Sequence, residues 1–140
     1  MRRRSVIGGL VALLLVTDES SVQQSPAKIP RIGVLGLGES ERTPMFDAFR
    51  EGLNDLGYIE GRNISLEFPL ARGDYSLFSQ LTAELVTVPV DVIVADGGVR
   101  FIAKKSRQVP IVTPTVYDPV RQGVATSLAR PGGNVTGFTS

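Results

Sequence analysis

The sequence predicts an α/β fold: a three-layer, doubly wound parallel sheet with strand order 2-1-3-4-5. Two short runs carry most of that expectation, residues 90–95 (Val-Asp-Val-Ile-Val-Ala) and 111–116 (Ile-Val-Thr-Pro-Thr-Val). Both are rich in β-branched residues, apolar on both faces and too brief for a helix, as strands buried between two helical layers should be. The third observation is alternation. Strand-like and helix-like segments follow each other four times with short connections, which calls for right-handed crossovers and helices on both faces of the sheet.

Taken in order, residues 29–37 form the first strand, with Ile32, Val34, Leu35 and Leu37 as its apolar body. Gly36-Leu37-Gly38-Glu39-Ser40 is the loop that follows. Thr43-Pro44 then opens a helix as N-cap and first residue, because proline's missing N–H would be unpaired there anyway. Met45, Phe46, Phe49, Leu53 and Leu56 recur at helical spacing on one face, and Gly57 stops the helix in a left-handed conformation. Residues 63–68 alternate Ile64, Leu66 and Phe68 with Ser65 and Glu67, the pattern of a half-exposed edge strand. Asp74 caps the second helix, whose buried stripe is Leu77, Phe78, Leu81 and Leu85. After the central strand and a Gly97-Gly98 turn, residues 99–106 make a third helix. It turns Phe101 and Ile102 toward the sheet and Arg100, Lys104, Lys105 and Arg107 outward. Pro114 removes a ladder hydrogen bond from the fourth strand and predicts a bend or the end of pairing there. Residues 120–128 are expected to form a fourth helix through Val124 and Leu128, and residues 135–138 begin a fifth strand.

Composition narrows the function. The chain of 140 residues is long enough for one domain with a core, and 42% hydrophobic with 21% charged residues is the make-up of a folded protein. It has no cysteine and no histidine. That removes disulfides, thiolate metal sites and the commonest general base, so no catalytic residue, metal or cofactor is expected and enzyme function is disfavoured. Arg2-Arg3-Arg4 ahead of the apolar run 6–16 is the order of a secretory signal peptide, with removal after Ser25-Pro26-Ala27. Residues 28–140 keep 12 of the 15 basic and 12 of the 14 acidic residues, a net charge of zero. Without a basic surplus there is no electrostatic case for nucleic acid. An exported, neutral, periplasmic domain suits a small-molecule ligand better.

In an open parallel sheet, ligands meet the carboxyl-terminal strand ends. The residues there are Gly38-Glu39-Ser40 after the first strand, Asp96-Gly97-Gly98 after the third and Tyr117-Asp118 after the fourth. Each has a second reading. Gly36-x-Gly38-x-x-Glu41 lacks the third glycine of a dinucleotide fingerprint and sets a carboxylate where a pyrophosphate would lie. Asp96 occupies the place of a receiver domain's phosphorylated aspartate, but the acidic pair that would hold Mg²⁺ is missing after the first strand. Asp96 serves equally well as a cap for the third helix, and Tyr117-Asp118-Pro119 equally well as a turn.

Several longer runs resemble the amino-terminal half of bacterial ABC-transporter substrate-binding proteins of the tryptophan/tyrosine type. The most specific are Leu56-Gly57-Tyr58-Ile59-Glu60-Gly61-Arg62-Asn63-Ile64 and Ala129-Arg130-Pro131-Gly132-Gly133-Asn134-Val135-Thr136-Gly137. Lys28-Ile29-Pro30-Arg31-Ile32-Gly33-Val34-Leu35 and Asp118-Pro119-Val120 add to them. After the third strand Gly98-Val99-Arg100-Phe101 departs from the family's small-residue helix start. The resemblance implies one lobe of a type 1 periplasmic-binding-protein fold, serving an ABC permease as partner and carrying an amino acid or similar small molecule. It assigns ligand contact to Gly38, Glu39, Ser40, Asp96, Gly97, Gly98, Tyr117 and Asp118. Residues 1–27 are then the leader and residues 28–140 the amino-terminal lobe, ending where the crossing into a second lobe is expected. One wall alone is expected to bind weakly, and the strip along the fifth strand to be prone to self-association. The rival expectations are a cytoplasmic receiver-like or nucleotide-binding domain, and a fragment without function.

Overall fold

The computed structural model describes residues 28–139; the expected leader and its processing region lie outside them. The elements are β1 (Arg31–Gly36), α1 (Pro44–Asp55), β2 (Ser65–Glu67), a 3₁₀ turn (Tyr75–Leu77) running into α2 (Phe78–Thr87), β3 (Val92–Asp96), α3 (Val99–Lys105), β4 (Ile111–Val116) and β5 (Val135–Thr139). All four strand pairings are parallel, and the order is β2-β1-β3-β4-β5. The expected strand order is therefore the observed one, with β2 at an edge.

Two glycines of β1 fix the layers. A Cβ on Gly33 would lie 2.8 Å from Leu85 of α2, and one on Gly36 would lie 3.0 Å from the Phe46 ring of α1. Residues an odd number apart point to opposite faces of a strand, so α1 covers one face while α2, with α3 packed against it, covers the other. The α2–α3 face holds the core: Leu35, Phe78, Ile93, Ala95, Ile102 and Ile111 are fully buried. Each such aliphatic or aromatic side chain contributes about 1.5–3 kcal/mol by leaving water. The α1 face is thinner. Phe46 is the only buried residue of that helix, set edge-on to Phe68 with ring centres 5.4 Å apart. Met45 and Leu56, expected in the buried stripe, are exposed, because α1 spans only the β1–β2 side. Beyond it Val112 and Phe138 share the uncovered face, and Phe138 is 78% exposed.

Caps and breaks are largely where the residues call for them. Thr43 Oγ1 accepts from the Phe46 amide (3.3 Å), Asp74 accepts from the Ser76 amide (2.8 Å), and Gly57 ends α1 at φ +84°. Two further expectations fail here. Phe101 points outward beneath the Arg100 guanidinium, and Val99 and Ile102 make the buried contact of α3 instead. Residues 120–128 form no helix. A single turn closes where the Val124 amide donates to Pro119 O, and Gly123 at φ +70° ends it. Asp118 starts that turn and glycine stops it five residues later, too short a span to pay the nucleation cost of a helix.

Candidate functional site

Because every strand is parallel, the loops after β1, β3 and β4 emerge at one edge of the sheet. Gly36 of β1 is in register with Asp96 of β3, which brings Gly38-Glu39-Ser40 beside Asp96-Gly97-Gly98. Tyr117-Asp118 stands apart. Pairing between β3 and β4 stops at Val94 and Val112, and β4 continues beyond Pro114 joined only to β5, with a register shift between Thr113 and Val116. The proline bend foreseen from the sequence thus opens the sheet between the second and third loops.

Glu39 and Ser40 are exposed, and Ser40 Oγ accepts from the Arg42 amide (3.0 Å), which holds the loop ahead of α1. Asp96 is half-buried. The reading of Asp96 as a helix cap does not hold: the N-cap of α3 is Gly98 at φ +60°, and no side chain hydrogen-bonds that helix start. Gly98 also sits flat on Phe78, leaving no room for a Cβ. Tyr117 is 71% exposed. Its carbonyl accepts from Gln122 Nε2 (2.5 Å), while Asp118 Oδ1 accepts from the Arg121 amide (3.0 Å). The turn reading of Asp118 is therefore real, and its second oxygen, 3.8 Å from Arg121 Nε, keeps capacity to accept another hydrogen bond.

A fourth loop reaches the same edge and was missed in the sequence. After β2 the chain runs alongside β1: Ala71 N donates to Gly36 O (2.9 Å) and Gly73 N to Leu37 O (2.8 Å). This places Arg72 and Tyr75 with the other loops. Tyr75 is 54% exposed, with its ring 5.7 Å from Phe78, the residue beneath Gly98. The Ser76 hydroxyl and amide hold the neighbouring Asp74 carboxyl below its ordinary range. The available signal was topological, since the loop after strand two of a parallel sheet must also emerge at this edge. Arg72 (φ +49°) and Asp118 (φ +42°) are the two non-glycine residues at positive φ among the described residues, and both lie here. Such strain concentrates at functional sites.

The edge forms one open wall. None of the four best-formed cavities among the described residues is lined by any of the eight candidate residues. No cluster of three or more carboxylates able to hold a metal ion occurs among the described residues. Nor is any helix there long and apolar enough to cross a membrane.

The two most specific sequence runs lie at the opposite edge. Asn63 Oδ1 accepts from the Ile59 amide (2.6 Å) and its Nδ2 donates to Gly57 O (2.8 Å), closing the turn between α1 and β2. Asn134 Nδ2 donates to the carbonyls of Ser106 and Val109, tying the start of β5 to the end of α3. Both asparagine side chains serve the turns that lead into strands.

Residues 38–140 match the family described as ABC transporter substrate binding protein. A curated relative, the tyrosine-binding protein of Clostridioides difficile, is 29% identical over 109 residues, covering 74% of this chain and 32% of its own length. Three solved structures share the fold. The ligand-free, open form of a Clostridium difficile substrate-binding protein with adhesive properties superposes with a TM-score of 0.70 at 27% identity. An ABC domain from Streptococcus pneumonia in complex with L-Trp gives 0.63 at 25%, and a conserved domain protein from Vibrio cholerae gives 0.69 at 30%. They cover 79%, 79% and 81% of this chain, which spans 39%, 38% and 39% of theirs.

Proposed function

Because the chain belongs to the ABC transporter substrate-binding protein family, we propose that it supplies one wall of an exported receptor that hands a small molecule, an amino acid or a close analogue, to an ABC permease for import. The observation that carries this reading is the convergence of loops at one edge of a five-stranded parallel sheet, with the Gly36–Asp96 register joining two of them. In this reading Gly38, Glu39 and Ser40, Asp96, Gly97 and Gly98, and Tyr117 and Asp118 touch the ligand. Tyr117 offers an aromatic face, and the Asp96 and Asp118 carboxylates accept from an ammonium group. Arg72 and Tyr75 join them from the loop after β2. Relatives named for tyrosine binding and solved with L-Trp make aromatic amino acids the first ligands to try.

A single wall leaves most of a ligand in water, so the 140-residue chain alone binds weakly, and affinity comes from closure against a second lobe. Amide-resolved NMR titration with L-tyrosine and L-tryptophan reads such weak binding directly. Shifts at residues 38–40, 96–98 and 117–118 are expected; shifts confined to the Asn63 and Asn134 edge, or micromolar affinity in calorimetry, would refute the proposal. Export is tested separately by cell fractionation and the mass of the mature amino-terminus, with cleavage near residue 27 as the expected result.

A further inference from the structure

The turn that replaces the expected fourth helix leaves a flank of α3 open. A cavity of about 390 Å³ runs between that helix and the segment 122–135, within the range of small-ligand sites. One wall carries Arg100, Lys104 and Arg107. The other is glycine-rich: Gly123, Gly132 and Gly133 bring no side chain that could fill the groove or neutralise it. No carboxylate lines the cavity, and no ion pair among the described residues engages any of the three cations.

Arg100 and Lys104 stand one turn apart on α3, about 6 Å at 1.5 Å per residue, and Arg107 follows in the loop just past the end of that helix. Helix electrostatics accounts for only part of this. Lys104 in the last turn complements the negative end of the helix, but Arg100 stands in the first turn, where a cation is disfavoured. Like charges one turn apart also destabilise a helix. Residues 28–140 carry no net charge, so a local excess of three is a concentration of charge and not a reflection of a basic protein. The Arg100 guanidinium is further ordered 5.1 Å above the Phe101 ring.

We propose that this groove is a second binding site, distinct from the loop edge, for a multivalent oxyanion of the phosphate class. Three cations lining one groove, two of them arginines, fit two linked phosphates or a phosphodiester better than a single carboxylate, because the fork of each arginine takes two oxygens of one phosphate. The site is independent of the amino-acid reading, since none of the eight loop-edge residues lines it.

The test is calorimetry and amide-resolved NMR on the 140-residue chain with inorganic pyrophosphate at low salt, alongside vesicles of phosphatidylglycerol and of phosphatidylcholine. The double variant R100Q/R107Q is carried through in parallel. Saturable pyrophosphate binding with Kd below about 1 mM, weakened tenfold or more in the variant, is the expected result. Retention on phosphatidylglycerol vesicles that pyrophosphate displaces would assign the phosphate to a lipid headgroup, and its absence to a soluble ligand. Without anion the variant should unfold at a urea midpoint equal to or above the wild type, because repulsion has been removed. Equal binding by variant and wild type, or no binding up to that concentration, overturns the proposal.

Discussion

Gly98 joins the candidate site to the core, and replacing it tests whether that junction is as tight as the geometry states. In Gly98→Ala two costs add. A residue with a Cβ at φ +60° loses about 1–2 kcal/mol relative to its ordinary conformations. The new methyl would also sit 2.7, 2.8 and 2.9 Å from three atoms of the Phe78 ring, which is fully buried in the core. Overpacking of that kind costs about 1–3 kcal/mol, for a total of roughly 2–5 kcal/mol against a domain stability of about 5–15 kcal/mol. Gly97 is the internal control: at φ +90° it bears the backbone cost, but open space surrounds the place of its Cβ. Urea denaturation should therefore rank Gly98→Ala below Gly97→Ala by about 1–3 kcal/mol. Combining Gly98→Ala with Phe78→Leu should recover about 1 kcal/mol of coupling, as expected for residues in direct contact. Equal losses for the two glycine variants, or strict additivity in the double variant, would show that the ring does not constrain this loop.

Three further outcomes are expected. Asn63→Ala loses the bonds to Ile59 N and Gly57 O, about 1–3 kcal/mol by urea denaturation, and leaves ligand-induced shifts at residues 96–98 unchanged. Asp91 is held below its ordinary carboxylate range by the hydrogen bond from Lys28, 2.7 Å away, and then by the Arg31 amide. A depressed carboxyl stabilises the fold above its unfolded pKa, near 3.9, and that contribution is lost as pH falls through the lower folded value. NMR titration should accordingly show the Asp91 midpoint moving upward in Lys28→Met, with Asp91→Asn flattening the acid limb of stability below about pH 4. Finally, Phe138 and Val112 on the uncovered face should make the chain associate as concentration rises, and Phe138→Ser should reduce that association in sedimentation velocity.

The strand order was legible because β-branched runs and short connections constrain a parallel sheet strongly. Pro114 marked where β4 leaves β3, and Thr43, Asp74 and Gly57 marked caps and stops through their own hydrogen bonds and φ angles. The absent fourth helix was not legible from its apolar spacing, since Val124 and Leu128 fit a helical stripe while Gly123 at positive φ overrides it. Phe101 misled for a related reason: hydrophobicity favoured the inside, but in a seven-residue helix Val99 and Ile102 already fill the side facing the sheet. At the candidate site, residue type alone left Asp96 open between cap and ligand contact, and geometry removed the cap. The loop after β2 went unread because Asp74 explained the local pattern and its hydrogen bonds to β1 are long-range.

The turns built on Asn63 and Asn134 hold the lower rim of the sheet, while the residues proposed above to touch a ligand hang from the upper rim. Assembly and the proposed loop-edge selectivity thus draw on different ends of the same strands. Everything above Gly36, Asp96 and Val116 could be exchanged without disturbing either asparagine knot.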